Sequence, residues 1–142
     1  MFIKQISVSL NNVPGALSSV SEILGDEGVN IRAISVADTA DISTVRFVVD
    51  EPVKAVNILR TNGYALKETD VLAVETPDHP GGLNAVLKPL KDAHINVHYL
   101  YSYLGRSSEQ AIVILGVDKM EEAKQVLQEN WVHTLGEELY NL

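Results

Sequence analysis

Asn12-Val13-Pro14-Gly15-Ala16-Leu17 returns 66 positions later as Asp78-His79-Pro80-Gly81-Gly82-Leu83. At the same offset Val29-Asn30-Ile31 meets Ile95-Asn96-Val97. Each Pro-Gly pair follows an apolar-rich run, ISVSL at 6–10 and VLAVE at 71–75. Three matches at one spacing divide the 142 residues into two homologous units, 1–69 and 70–142, joined without a Gly/Ser linker. Length alone would have allowed one domain or two small ones.

Working outward from Pro14, residues 2–10 alternate (Phe2, Ile3, Ile6, Val8, Leu10) and read as a strand. Pro14 suits the first turn of a helix, where its missing N–H costs nothing. Leu17, Val20 and Leu24 then form a helical apolar stripe ending at Gly25 and Gly28. Strands are expected at 29–36 and 44–49, a helix from Pro52 to near Gly63, and a fourth strand at 64–69. The second unit repeats this order. It reads as a strand at 70–76, a helix at 80–92, strands at 95–104 and 110–117, a helix at 118–130 and a last strand near 131–139. That last strand is interrupted by Gly136 and Glu137-Glu138, and Pro89 should kink or shorten its helix. The fold class is therefore α+β: two ferredoxin-like βαββαβ units, each an antiparallel sheet with helices on one face. A unit of ~60–70 residues is marginal alone, so pairing of units is an energetic expectation.

Composition narrows function. Of the residues, 46% are hydrophobic and 21% charged, as in an ordinary globular chain. No apolar run reaches the ~18 residues of a membrane span, and the N-terminus lacks the pattern of a signal peptide, so a cytoplasmic protein without membrane contact is expected. Eleven basic against 19 acidic residues give net charge -8, which disfavours nucleic acid as a partner. The absence of cysteine excludes disulfides, thiolate metal sites and a Cys nucleophile.

A βαββαβ unit with Asn-Val-Pro-Gly-Ala-Leu between its first strand and first helix resembles an ACT domain. Gly28-Val29-Asn30-Ile31 at the start of strand two is similar to that family as well. The second unit resembles it through Asp-His-Pro-Gly-Gly-Leu and His94-Ile95-Asn96-Val97, so the likeness covers nearly the whole chain, twice. What the resemblance implies is a stand-alone, non-catalytic regulatory protein. Its small ligand, often an amino acid, would be held where paired units meet, by the loop before helix one and the start of strand two. The implied site residues are Asn12, Val13, Pro14, Gly15, Ala16, Leu17, Asn30 and Ile31, with Asp78, His79, Pro80, Gly81, Gly82, Leu83, Asn96 and Val97 as their counterparts. A homodimer is expected, with no cofactor; the ligand's identity and any regulated enzyme are not legible.

The same residues have a physical reading. A tight Pro-Gly turn into a helix exposes backbone N–H groups and the positive end of the helix dipole, a site for a carboxylate. Gly15 and Gly81 lack a Cβ, so a ligand can approach the backbone. Asn12 donates and accepts, whereas ionised Asp78 only accepts, so Asp78 favours an ammonium and the two loops should differ in ligand preference. The bland reading stands beside this one: Asn12 and Asp78 as helix caps, Asn30 and Asn96 as partners of nearby backbone groups.

Tyr99, Tyr101 and Tyr103 alternate along one strand, with Ala33, Ser35 and Ala37 at the matching positions, and packing is favoured over ligand contact. No metal site is expected. His94 and His98 are four apart but enter a strand rather than sharing a helical face, and His79 and His133 have no partner at a ligand spacing. Three rival functions remain: a small enzyme on this scaffold using His79, Asp78 and the tyrosines, an RNA-binding module, and an assembly subunit with no ligand. STVRFVV lacks the aromatic RNA-binding motif, and the net charge opposes that reading.

Overall fold

The computed structural model describes residues 2–104 and 110–142. Contacts group them into two units: residues 4–69, and residues 70–142 together with the first residues of the chain. No helix among the described residues is long and apolar enough to cross a membrane.

In the first unit, β1 (Ile3–Asn11), α1 (Ala16–Asp26), β2 (Ile31–Asp38), β3 (Ile42–Val49), α2 (Pro52–Thr61) and the beginning of β4 (Leu66–Thr76) follow the expected order. β3 pairs antiparallel with β1 from Ile6↔Phe47 to Asn11↔Ile42, and with β2 from Ile31↔Val49 to Asp38↔Ser43. The second unit continues with α3 (Asn84–Asp92), β5 (Val97–Ser102), β6 (Ala111–Val117), α4 (Met120–Glu129), β7 (Thr134–Leu135) and a closing 3₁₀ turn, Glu137–Asn141. Its strand β4 pairs with β6 from Leu72↔Leu115 to Thr76↔Ala111, and with β7 at Ala73↔Leu135 and Val74↔Thr134. Strand order is β4-β1-β3-β2 in one unit and β7-β4-β6-β5 in the other, the same arrangement twice. The α+β class and the ferredoxin-like units hold.

Each unit has its own core. In the first, Ile6, Val8, Val45 and Phe47 from the sheet meet Val20 and Leu24 of α1 and Val56 and Leu59 of α2, nearly all fully buried. In the second, Leu72, Val74, Val113 and Leu115 meet Val86 and Leu90 of α3 and Ala123 and Leu127 of α4. Each buried aliphatic side chain contributes roughly 1.5–3 kcal/mol of transfer free energy, which fixes the helices to one sheet face.

Details of the elements depart from expectation. The strands expected at 64–69 and 70–76 are one continuous strand, β4, because LKETDVLAVET contains no Gly or Pro to turn it. Gly25 lies inside α1, and the chain turns instead at Gly28, with φ 76°. The expected strand near 131–139 is only Thr134–Leu135; Gly136 and the acidic pair after it turn the chain into the 3₁₀ segment, whose Leu139 is buried. Helix α3 has 9 residues where α1 has 11, and it starts at Asn84 rather than Pro80. Both end at matching positions, Asp26 and Asp92, so the shortening lies wholly at the N-terminus.

The four α-helices among the described residues end alike. Val29, Tyr64, Ile95 and Val132 donate their N–H to the carbonyls of Leu24, Leu59, Leu90 and Leu127, at 2.9–3.0 Å. The residue before each takes a left-handed backbone: Gly28 and Gly63 in the first unit, His94 (φ 57°) and Trp131 (φ 64°) in the second.

Candidate functional site

The first Pro-Gly loop leaves β1 at Asn11 and enters α1 at Ala16. Gly15 sits at the helix N-cap with φ 87°, a conformation that suits glycine, and no side chain caps the helix. Asn12 does not act as a cap. Its backbone N–H donates to Asp41 O at 2.9 Å and its side-chain amide to Thr39 O at 3.4 Å, tying the loop to the β2–β3 turn. Ala16 N–H reaches Val13 O at 3.3 Å, and Ser19 N–H reaches Gly15 O at 2.9 Å. The N–H groups of Leu17 and Ser18, between them, have no partner among the described residues. Beside them a cavity of about 140 Å³ is lined by Asn12, Val13, Ala16 and Leu17, together with Val36 of β2 and Ser43 of β3. Val13, Leu17 and Val36 of this lining are exposed, at 58%, 39% and 48%.

The second loop is built differently. After β4, the N–H groups of Gly82, Asn84, Ala85 and Val86 donate to the carbonyls of His79, Gly81, Gly82 and Leu83, at 2.9–3.1 Å. Among the described residues the Asn84 N–H, counterpart of the open Ser18, is thus engaged, whereas the Leu83 N–H, counterpart of Leu17, has no partner. Thr76 Oγ1, buried, donates to Gly82 O at 3.1 Å and holds the turn against the strand. A Cβ on Gly82 would stand 2.0 Å from Pro77 O, so this position, which is Ala16 in the first unit, admits only glycine. His79 Nδ1–H donates to the adjacent Pro80 O at 2.9 Å, and no side chain, Asp78 included, caps α3. Helix capping by Asn12 and Asp78 is thereby replaced: one ties down a loop, the other is an exposed carboxylate six residues before its helix.

Asn30 and Asn96 occupy equivalent positions before β2 and β5. The Asn30 N–H donates to Asp50 Oδ1 at 2.9 Å and Asp50 N–H returns to Asn30 O at 3.1 Å. Asn96 N–H donates to Asp118 Oδ1 at 3.0 Å, and Asp118 N–H returns to Asn96 O at 3.2 Å. The Asn96 amide also donates to His98 Nδ1 at 3.3 Å. Asn30 and Ile31 lie at the opposite end of β2 from the Asn12 loop, roughly 25 Å away along the 8-residue strand. Asn96 and Val97 stand likewise at the far end of β5 from the Asp78 loop. One unit by itself therefore gathers Asn12, Val13, Ala16 and Leu17 about a cavity but does not bring Asn30 and Ile31 to them. Pro14 and Gly15 shape the turn without lining that cavity.

Sequence reasoning missed Ser43 and Val36 in the cavity wall and the two aspartates. Asp50 and Asp118 are 68 apart rather than 66, which hid the match. The tyrosines pack. Tyr99 and Tyr101 stack at 6.4 Å, the Tyr99 ring lies against Gly116, and Tyr101 and Tyr103 are buried. Tyr103 O–H donates to Leu139 O at 3.3 Å, holding the 3₁₀ segment. No group of three or more His, Asp or Glu side chains is placed to hold a metal among the described residues. The Glu138 carboxyl pKa is held below the ordinary value by the Gly136 N–H and its own N–H, and further by the neighbouring His133.

The whole chain matches solved structures. Protein BT0572 from Bacteroides thetaiotaomicron is 34% identical, with TM-score 0.92 over 100% of this chain and 98% of that one. The ligand-free regulatory subunit of aspartate kinase from Thermus thermophilus is 15% identical, with TM-score 0.65 over 91% and 93%. The corresponding subunit from Thermus flavus is also 15% identical, with TM-score 0.62 over 92% and 94%. At such identity these two share the fold alone. No curated protein matches the chain significantly. The ACT domain pair matches residues 1–141. Loop, helix start and element order agree with that match, and the chain belongs to the ACT-domain family as a pair of such domains.

Proposed function

We infer that this protein is a non-catalytic, cytoplasmic regulator that binds an amino acid at the start of α1. The observation that carries the reading is the pair of open N–H groups, Leu17 and Ser18, beside the cavity between Asn12 and Ser43. A ligand carboxylate there would accept both donors and meet the positive end of an 11-residue helix. Asn12 and Ser43 flank it, and the small Ala16 lets it approach. The second loop, with the Asn84 N–H engaged where Ser18 is open and with Asp78 exposed, would hold a carboxylate less well, so the first unit is the binding one.

The exposed apolar residues around this cavity call for a cover. A second copy of the chain would supply it, with the start of its strand β2 or β5 (Asn30-Ile31 or Asn96-Val97) completing the site that one unit leaves open. Ligand would then favour the paired state and bias a regulated partner, through its different affinity for the two arrangements. Thermal melts with each common amino acid test the reading. A ligand at 100 times its Kd adds ~2.7 kcal/mol of stability. A melt unmoved by every amino acid at millimolar concentration contradicts it.

A further inference from the structure

Ser43 is only 8% exposed and lines the α1 cavity, yet its hydroxyl has no hydrogen-bond partner among the described residues. Enclosed hydroxyls are ordinarily bonded, and this one stands available to a molecule entering the cavity. Asn12 is in a similar position. Its side-chain NH₂ donates to Thr39 O at 3.4 Å, which leaves its Oδ1 as an acceptor. Together with the open N–H groups of Leu17 and Ser18, the cavity thus offers two donors and two acceptors. The head group of an α-amino acid uses both kinds, donors for its carboxylate and acceptors for its ammonium.

Beyond those groups the wall is apolar. Leu10, Val13, Ala16, Leu17, Val36 and Val45 form it, and the remaining member, Asn11, ends β1. None of the described residues lining the cavity carries a charge. Asp38, opposite Ser43 in the strand register, is exposed and outside that lining. A charged ligand side chain would lose water here without gaining an ion partner. An apolar cavity of ~150 Å³ takes one benzene-sized molecule. At about 140 Å³ this one holds a head group and roughly three or four further carbons.

The fold does not require these walls. At the equivalent register positions of the second unit, Leu10 and Ser43 are replaced by Thr76 and Ala111, and Val36 by Ser102. Asn12 and Val13 are replaced by Asp78 and His79. The apolar surround and the enclosed hydroxyl belong to the first unit.

Given amino-acid binding at the α1 loop, on which this rests, we propose that the ligand is an α-amino acid with a short aliphatic side chain, of the size of valine or isoleucine. Its ammonium meets Asn12 Oδ1 and the Ser43 hydroxyl. Its side chain packs on Val13, Leu17 and Val36, which the free protein leaves exposed.

Calorimetry on the full chain with valine, alanine, serine, lysine, aspartate and phenylalanine tests the specificity. Each buried CH₂ strengthens binding about fourfold, so valine should bind about tenfold tighter than alanine. Serine, lysine, aspartate and phenylalanine should each be at least tenfold weaker than valine. Val36→Ser should weaken valine at least threefold and leave alanine within twofold, because it changes only the side-chain wall. Ser43→Ala should weaken valine and alanine alike, at least fivefold, because it removes a head-group partner. Both variants carry the residue that the second unit already holds at that place, and melting curves check that they fold. The proposal is overturned if serine, lysine, aspartate or phenylalanine binds as tightly as valine, if Val36→Ser weakens valine and alanine equally, or if Ser43→Ala binds valine as the wild type does. Those outcomes leave amino-acid binding at α1 standing. Failure of every amino acid to bind contradicts the α1 site itself, and this specificity with it.

Discussion

The two units share an element order, a bulge early in the second strand (at Ile31/Ala33 and at Val97/Tyr99) and an aspartate pinning the start of that strand. They part company at the start of their first helices and at the ends of both helices. In the first unit the Pro-Gly turn leaves two N–H groups open, and helices end on Gly28 and Gly63. In the second, a further tight turn engages one of the two equivalent groups, and helices end on His94 and Trp131. Duplication has kept what the core needs and let the exposed turns diverge. Those turns are where a difference in ligand preference would arise.

The largest contrast should come from the equivalent positions 16 and 82. Gly82→Ala drives a Cβ into the Pro77 carbonyl and should cost about 3 kcal/mol, an effect of overpacking against backbone. Ala16→Gly, at the helix start of the first unit, should cost under ~1 kcal/mol. Urea denaturation of both variants checks this; equal losses would mean the two loops are built alike.

The shared feature gives a control of intermediate size. Asp50→Ala and Asp118→Ala each leave a strand-start N–H without its carboxylate, and each should cost about 1–2 kcal/mol. A markedly unequal pair would break the equivalence drawn between the two aspartates.

At the helix ends the sign should reverse between units. Trp131→Gly and His94→Gly relieve a left-handed backbone and should stabilise by about 1 kcal/mol each, whereas Gly28→Ala and Gly63→Ala should destabilise by a similar amount. Melting temperatures of the four variants decide it.

The smallest effect concerns Glu138, which has no counterpart in the first unit. Its folded pKa lies below the ordinary ~4.3, so its contribution is present above that value and is lost as pH falls through the folded pKa. Exposure keeps the contribution small. Glu138→Gln should lower the melting temperature slightly at pH 7, and the difference should fade as pH drops through the folded pKa.

Much of this was legible because repetition and apolar spacing are written along the chain. The 66-residue offset, the stripe Leu17-Val20-Leu24 and the β-branched run at 44–49 each point to an element that forms. The continuous β4 was legible too, in the lack of any Gly or Pro between Tyr64 and Thr76, but the repeat arithmetic cut it at 69/70. His94 and Trp131 were not legible as helix ends, since glycine is the local signal for a left-handed turn and neither unit-two helix has one there. The site was half legible. Asn12 to Leu17 mark the loop, whereas Ser43 and Val36 join it through strand pairing that no short motif records.

The central claim is that an amino acid binds at the α1 loop. Calorimetry with the common amino acids, on wild type and on Asn12→Ala, tests it most directly. The account predicts that at least one binds with micromolar to millimolar Kd, and that Asn12→Ala weakens it at least tenfold while Asp78→Ala leaves it within about twofold. Absence of binding by every amino acid, or affinity unchanged in Asn12→Ala, would contradict it.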